Sequence, residues 1–243
     1  AEDWSAMTRV RDVVTGIPLG AEGIHSGCRL LVAGDGSIYI GTGDIYSATD
    51  PQDPTSLAGK TLHVNPDGTP ASGDSVIHTI GHRNVQGLAV QPGTGRVYSA
   101  EHGPDRDDEV NLLEPGANYG WNPNVNGQYN QNVPMTDTER YPDAVAAAWS
   151  SGETTEAICG AAFLEGEQWG EREGLLAITA LRGAKLLLLS IGDDGSVDEV
   201  EIPQDLVDDF GRLRAARTAP DGALYVTTSN GEDDKVLRIT PES

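Results

Sequence analysis

The chain has 243 residues and a formal net charge of −22, which argues against nucleic acid as a partner because phosphate binding requires a basic surface. Aromatic residues make up 5% of the chain, whereas glycine and proline number 30 and 14, so the composition indicates a turn-rich chain without long apolar helices. No apolar run approaches the roughly 18 residues of a membrane span. The longest, the four leucines at 186–189, has the length of a strand.

One pattern recurs along the chain: an apolar strand, a tight glycine turn, and an alternating strand that ends in small or polar residues. It occupies residues 30–44 (LLVAGDGSIYIGTGD), 87–102 and 215–229, with a weaker copy at 160–189. Asp-Gly and Pro-Asp-Gly mark hairpin turns because glycine tolerates the positive φ that these turns require. The turns recur roughly every 55–70 residues, as expected for four-stranded propeller blades with long loops.

The recurrence predicts an all-β fold, a single β-propeller domain over residues 1–243 with about four blades. A β-sandwich with hairpins is the alternative, although a sandwich does not require a similar unit to return at such a period. The polar segments 45–59 and 120–140 are too long for simple connections and are predicted to be functional loops. The only helix predicted is a short one near residues 138–149.

The two cysteines, Cys28 and Cys159, form an even count in a chain whose composition suits an exported protein. They predict either a disulfide or two buried thiols. The absence of a Cys-x-x-Cys motif argues against zinc binding and thioredoxin chemistry. The sequence contains no recognisable signal peptide and starts like a mature or processed fragment.

His25 lies just before the first repeat, in the segment Ile-His-Ser-Gly. An imidazole titrates near working pH and can take a proton from a hydroxyl group, although a histidine at the start of a strand is often structural. Arg83 and Asn84 follow in the segment GHRNVQG, just before another strand. A guanidinium group there offers a planar fork for an anionic, carbonyl-bearing ligand, or it serves only the fold.

The segment EHGP at 101–104 places Gly103 and Pro104 in a tight turn followed by acidic residues. Consecutive carbonyl oxygens exposed by such a turn are suitable ligands for calcium, but a turn beside an acidic loop also needs no metal. Further along, Arg212 and Arg214 alternate in a strand-like segment and are expected to share one face. Two guanidinium groups on one face can clamp a polycarboxylate, or they balance the acids at 208 and 209.

Taken in order, these segments resemble the glucose/sorbosone dehydrogenase family. The likeness is carried by the histidine segment and its hairpin, by residues 56–68 (SLAGKTLHVNPDG), and by the later segments GHRNVQGLA, EHGPDRDDEVNLLEPGANYGW and GRLRAARTAPDGALYVTT. The series covers most of the chain and is highly specific. It implies a six-bladed quinoprotein propeller that oxidises aldoses with pyrroloquinoline quinone (PQQ) and Ca²⁺. It also implies that the N-terminal blade or blades lie outside this chain.

The resemblance also implies a role for each matching residue. His25 matches the general base, and Arg83 and Asn84 match residues beside the quinone carbonyls. An arginine there stabilises developing negative charge. Gly103 and Pro104 match the carbonyl ligands of the catalytic calcium, and Arg212 and Arg214 match the clamp for the cofactor carboxylates. Glu109 and Tyr119 match residues that give backbone oxygens to a second, structural calcium.

The chain departs from the family pattern at several positions. Ser26 stands where an asparagine or glutamine is usual, and Cys28 where a glycine is usual. Arg182 replaces the lysine that binds the cofactor, which keeps the charge but changes the reach of the side chain. Gln52 matches a polar residue of the active-site loop.

Three functions are therefore compared. The first is a PQQ- and calcium-dependent aldose dehydrogenase with an external electron acceptor, exported to the periplasm, the exterior or the cell surface. A second chain that supplies the missing blades is a further partner considered for it. The second is a non-catalytic propeller that binds a carbohydrate, a cell-wall component or a protein. The third, a calcium-dependent lactonase, requires converging carboxylate ligands, which the Gly103-Pro104 pair does not supply.

Overall fold

The computed structural model describes residues 10–242, and nearly all of its regular structure is β-strand. Three sheets of four strands and one sheet of three strands follow one another along the chain, and we refer to them as blades 1 to 4. Every pairing within a blade is antiparallel. The prediction of an all-β propeller with about four blades is confirmed.

The first two blades include the long loops noted in the sequence. Blade 1 consists of β1 Gly27–Val32, β2 Ile38–Thr42, β3 Lys60–Val64 and β4 Ile77–Ile80. Blade 2 consists of β5 Val85–Val90, β6 Val97–Glu101, β7 Glu109–Leu112 and β10 Trp149–Ser150, and its long loop carries the hairpin of β8 Asn124–Val125 and β9 Gln128–Tyr129.

The last two blades are more compact. Blade 3 consists of β11 Ile158–Phe163, β12 Leu176–Ala180, β13 Lys185–Ile191 and β14 Val197–Glu201; blade 4 of β15 Leu213–Thr218, β16 Leu224–Thr228 and β17 Val236–Ile239. Three short 3₁₀ segments lie in the connections, at Asp50–Gln52, Glu167–Arg172 and Gln204–Leu206. No helix within residues 10–242 is both long enough and apolar enough to cross a membrane.

The helix predicted near residues 138–149 is wrong. That segment forms isolated turns, such as the bond from the Tyr141 amide to the Asp137 carbonyl, and ends in strand β10. Pro142 supplies no amide hydrogen in the middle of the segment, so a continuous helix is interrupted there.

The blades are held together through the apolar faces that they turn toward one another. Leu31 of blade 1 packs with Val85 and Leu88 of blade 2. Blades 2 and 3 share a second cluster, and blades 3 and 4 a third, so each interface buries side chains from both sheets. Burial of apolar surface of this kind is the main favourable contribution to the free energy of folding.

The first strands of the four blades, β1, β5, β11 and β15, lie side by side at the centre. Gly160 shows how close they come, because a Cβ atom there would lie 2.4 Å from the amide nitrogen of Ala216 and 2.7 Å from the carbonyl oxygen of Arg214. The residues that begin these inner strands therefore gather at one end of the axis, where the segments of interest are found.

Candidate active site

His25 precedes β1 and faces the carboxylate of Asp44, which follows β2. Its Nδ1 atom lies 2.8 Å from Asp44 Oδ1, and Asp44 is fully buried. A carboxylate only accepts hydrogen bonds, so the imidazole carries its proton on Nδ1 and keeps the lone pair on Nε2. An imidazole in this state can accept a proton on Nε2, and the second residue fixes its tautomer.

The pairing of β1 with β2 brings His25 to Asp44. Gly27 pairs with Thr42, and a bulge follows before Arg29 pairs with Gly41. The chain then passes so close to His25 that a Cβ atom on Gly43 would lie 1.8 Å from the His25 carbonyl oxygen. Only glycine fits at this position, and the short approach sets the distance between the imidazole and the carboxylate.

Asp44 also organises residues from distant parts of the chain. Its Oδ1 atom accepts the amide of Tyr46 at 3.0 Å, and its Oδ2 atom accepts Trp121 Nε1 and the Tyr129 hydroxyl, both at 2.8 Å. Burial raises the pKa of Tyr129, and Asp44 raises it further, so the phenol remains a donor. Sequence analysis missed Asp44, although its place at the strand end opposite His25 was a usable signal.

Arg83 lies next to the same centre with its side chain turned inward. Its carbonyl accepts the Asp44 amide at 2.7 Å, and its Nη1 atom donates to the carbonyls of His102 at 3.0 Å and Gly103 at 2.7 Å. The guanidinium carbon lies 5.7 Å from the Trp121 ring centre, within cation–π range. Its buried Nε atom has no hydrogen-bond partner among the described residues.

Asn84 connects the second blade to the first. Its Oδ1 atom accepts the Gly27 amide at 3.1 Å and the Gln86 side-chain amide at 3.2 Å. Because Gly27 is only two residues after His25, this contact fixes His25 relative to the strand that follows Arg83.

Two more guanidinium groups, those of Arg29 and Arg214, lie near the thiol of Cys159. Arg214 Nη1 lies 3.8 Å from the thiol of Cys159, and Arg29 Nε donates to the Gln86 carbonyl at 2.6 Å. Burial raises the pKa of Cys159, while Arg214 and Arg29 oppose that effect. Arg29 was not singled out in the sequence, although it is a basic residue close behind His25 in an acidic chain.

The centre thus collects three guanidinium groups, and the buried carboxylates of Asp44 and Glu101 lie near it without forming an ion pair with them. Arg29, Arg83 and Arg214 form no ion pair with any of residues 10–242. Burial lowers the pKa of His102 to about 4, and the charges of Arg83 and Arg214 lower it as well. In a chain of net charge −22, unpaired guanidinium groups at one centre indicate a site for an anionic ligand.

The loop that carries Gly103 and Pro104 is fixed by a buried acid. Asp108 accepts the Gly103 amide at 2.9 Å, and it also accepts the amides of Glu156 at 2.7 Å and Ala157 at 2.6 Å. Burial raises the pKa of Asp108 and these hydrogen bonds oppose the rise. Asp108 therefore ties the turn between β6 and β7 to the chain that enters blade 3.

Glu109 and Tyr119 lie in the buried region behind that loop. Glu109 is 4% exposed, and burial together with the charge of Glu101 raises its pKa to about 8. Asn111 Nδ2 lies 3.3 Å from Glu101 and 3.4 Å from Glu109, while its Oδ1 atom has no partner in the described chain. Tyr119 stacks on His82 at a centroid distance of 4.7 Å.

The Gln52 side chain is held by hydrogen bonds to the loop that follows β7. A buried lysine holds the loop that carries Gln52 itself. Gln52 Nε2 donates to Asn118 Oδ1 at 3.0 Å and to the Trp121 carbonyl at 2.9 Å. Lys60 Nζ donates to the carbonyls of Asp50 and Ala58, and to that of Pro51 at 3.1 Å. The ammonium group therefore occupies a cage of main-chain oxygens beneath the loop.

The remaining basic residues of interest lie further out. Arg182 is exposed, and Arg212 is an exposed residue that precedes β15 and donates from Nε to the Ser229 carbonyl at 3.1 Å. Arg214, by contrast, turns toward Cys159, so no common partner joins Arg212 and Arg214. The sequence predicted that Arg212 and Arg214 alternate along one strand and share a face. The strand begins at Leu213, so Arg212 lies outside it.

Both cysteines are free thiols, with Cys28 exposed and Cys159 buried. The predicted disulfide is therefore not formed. Of the two buried thiols that the sequence offered as the alternative, only Cys159 is buried. Within the described chain, no three His, Cys, Asp or Glu side chains group as a metal site.

The family model described as Glucose / Sorbosone dehydrogenase matches residues 1–238. The aldose sugar dehydrogenase YliI of Escherichia coli is 29% identical over 257 residues, which cover 100% of this chain and 67% of the relative.

Two solved structures are also similar. The apo-form of the soluble aldose sugar dehydrogenase from Escherichia coli has a TM-score of 0.83 at 29% identity, covering 100% of this chain and 72% of the other. The PQQ-bound aldose sugar dehydrogenase from Streptomyces coelicolor has a TM-score of 0.71 at 30% identity, covering 92% of this chain and 63% of the other. This chain therefore spans about two thirds of the length of these relatives.

Proposed function

The chain belongs to the glucose/sorbosone dehydrogenase family, and from that premise we propose that it oxidises aldose sugars to lactones with PQQ and Ca²⁺. His25 acts as the general base. The sugar is the substrate and an external molecule accepts the electrons. The chain works as part of one propeller domain in an exported protein.

The donor set at the centre fits an anionic quinone. The unpaired guanidinium groups of Arg83 and Arg214 would hold its negatively charged groups, with Asn84 beside them, and the orphaned Nε of Arg83 supplies an unused donor. Arg29 adds a third positive charge that sequence analysis did not include. Buried donors without partners are costly, so their presence supports a ligand that satisfies them.

The proposed cofactor set also includes Gln52, Arg182 and Arg212. Gln52 is fixed on the Trp121 carbonyl, and the indole of Trp121 donates to Asp44. Arg182 and Arg212 are exposed, so each would have to turn inward to reach a ligand at the centre. Their contribution to cofactor affinity is therefore proposed to be smaller than that of Arg83 and Arg214.

The oxygen donors suit calcium at two places. Gly103 and Pro104 would offer carbonyl oxygens, and the Gly103 carbonyl keeps a second lone pair beside its bond to Arg83. Glu109 and Tyr119 would give main-chain oxygens to a second, structural calcium.

The mechanism follows from the positions of the chain's own groups. When bound, the quinone supplies the acceptor for the hydride from the sugar's C1. His25 takes the proton of the C1 hydroxyl on Nε2, and Asp44 stabilises the imidazolium that results. Arg83 keeps a fixed positive charge in this buried centre, where it stabilises negative charge that develops nearby.

One observation carries this proposal: an imidazole with a free Nε2, oriented by a buried carboxylate, lies beside guanidinium groups that lack counter-ions. The test is an absorbance titration of the protein with PQQ and Ca²⁺, followed by dye-linked oxidation of common aldoses. Saturable binding with turnover supports the enzyme. His25→Ala should abolish turnover and keep cofactor binding.

The same experiment decides between the enzyme and a non-catalytic propeller. A binding module would retain its affinity for sugar in His25→Ala and show no oxidation in either form. Lack of turnover by the loaded wild-type protein across common aldoses would sink the enzymatic proposal.

A further inference from the structure

Tyr46 is an exposed aromatic residue beside the proposed base. Its ring centroid lies 5.2 Å from that of His25 at an interplanar angle of 55°, and the residue is 41% exposed. An exposed aromatic side chain so close to a buried carboxylate is not explained by packing in the core. A substrate whose hydroxyl reaches His25 must pass close to this ring.

The backbone that positions Tyr46 adopts an unfavourable conformation. Ile45 and Tyr46 have φ values of 52° and 64°, a left-handed conformation that is unfavourable for a β-branched or aromatic residue. Two hydrogen bonds enforce it, from the Ile45 amide to the His25 carbonyl at 3.2 Å and from the Tyr46 amide to Asp44 at 3.0 Å. Strain of this kind is maintained where a side chain has a task.

Tyr129 supports the ring from behind. The two tyrosines are stacked, with centroids 4.0 Å apart and planes inclined by 20°. Tyr129 comes from the β8–β9 hairpin, and its hydroxyl is fixed on Asp44 at 2.8 Å. Asp44 thus orients both the imidazole and the aromatic pair, which places a proton acceptor and a flat apolar surface in a fixed relation.

A pyranose has polar edges and apolar C–H faces, and a flat aromatic ring is the surface that such a face contacts best. We propose that Tyr46, braced by Tyr129, is the surface on which the sugar ring stacks while its C1 hydroxyl reaches His25. This inference rests on the proposed function, and it makes Tyr46 a substrate-binding residue that favours pyranose substrates.

The test uses the protein loaded with PQQ and Ca²⁺ and D-glucose as the probe. Tyr46→Ala should raise KM by about tenfold, the loss expected for one aromatic contact, with kcat changed much less. Tyr46→Phe keeps the ring and should restore the wild-type KM. Tyr225→Ala, a partly buried tyrosine on β16 of blade 4, is the matched control and should leave KM unchanged.

A binding measurement separates this inference from the proposed function. In saturation-transfer NMR without an electron acceptor, the ring protons of D-glucose should receive magnetisation from wild type and Tyr46→Phe but not from Tyr46→Ala. If the loaded wild type shows no oxidation, the dehydrogenase proposal fails, and this signal still reports on Tyr46. Equal signals for Tyr46→Ala and wild type, no signal from wild type, or an unchanged KM would each overturn the stacking role.

Discussion

The proton on His25 Nδ1 is held there by Asp44, whose other oxygen accepts Trp121 and Tyr129. In Asp44→Asn the amide oxygen must face those two donors, so the NH₂ group turns toward His25 and forces the proton onto Nε2. We expect kcat to fall by about 10²–10⁴-fold, the usual contribution of a general base.

Stopped-flow or steady-state kinetics on loaded protein measures this effect, and a parallel absorbance titration should show unchanged PQQ binding. Asp35→Asn is the control, since Asp35 is exposed and bonds only within its own turn, to Ser37. A kcat for Asp44→Asn close to that of the control would contradict the orienting role.

His78 makes stability depend on pH at a place away from the site. It is 6% exposed, packs edge-on against Tyr39 and His63, and its pKa is lowered from 6.5 to about 4, mainly by burial and also by the charges of His63 and His82. Above pH 6.5 the imidazole is neutral in both states. As the pH falls from 6.5 toward 4, the unfolded chain binds a proton that the folded protein does not.

The free energy of unfolding should therefore decrease over that interval, with His78 contributing up to about 3 kcal/mol. Urea unfolding at pH 8, 6.5, 5 and 4 measures the slope, which should be shallower in His78→Gln. Comparison at pH 8 gives the cost of the substitution itself. Parallel slopes for the two proteins would show that His78 is not responsible.

Among the structural elements, the loop between β2 and β3 depends on Lys60. The ammonium group is fully buried, donates to three carbonyls of that loop, and has its pKa lowered to about 8 by burial, with Asp50 and Asp53 opposing. Lys60→Met leaves the three carbonyls without their donor. We expect the free energy of unfolding to fall by about 3 kcal/mol.

Denaturant unfolding measures this loss, and limited proteolysis should show earlier cleavage within residues 50–59. Lys235→Met is the control because Lys235 is exposed and pairs only with Asp233, two residues away. Stability equal to that of the control would mean that the loop does not need the buried ammonium.

At the scale of the whole molecule, the site exists because the inner strands approach closely. A Cβ atom on Gly160 would lie 2.4 Å from the Ala216 nitrogen and 2.7 Å from the Arg214 oxygen, at the contact between blades 3 and 4. Gly160→Ala should therefore force these blades apart, lower the free energy of unfolding by about 1–3 kcal/mol, and weaken PQQ binding by displacing Arg214.

Thermal unfolding and the absorbance titration test both effects. Gly34→Ala is the matched control, because a Cβ atom on Gly34 meets no other atom within 4 Å. Wild-type stability and affinity in Gly160→Ala would show that the two blades have room to adjust.

The all-β class, the repeated hairpins and the order of the functional segments could all be inferred from the chain itself. Each depends on local chemistry: Asp-Gly turns, alternating strands, and the residues His25, Arg83 and Gly103 set just before or after strands. The helix predicted near residues 138–149 does not form, because Pro142 lacks the amide hydrogen that a continuous helix needs there.

The contacts among those segments were decided by the tertiary structure. Asp44 meets Trp121 and Tyr129 across about 80 positions of sequence, and Arg29 shares its surroundings with Arg214, which comes from the far end of the chain. Strand patterns report which face a residue occupies, but not which blade it meets across the axis. That partner is set by how closely the inner strands pack, a property of the assembled blades.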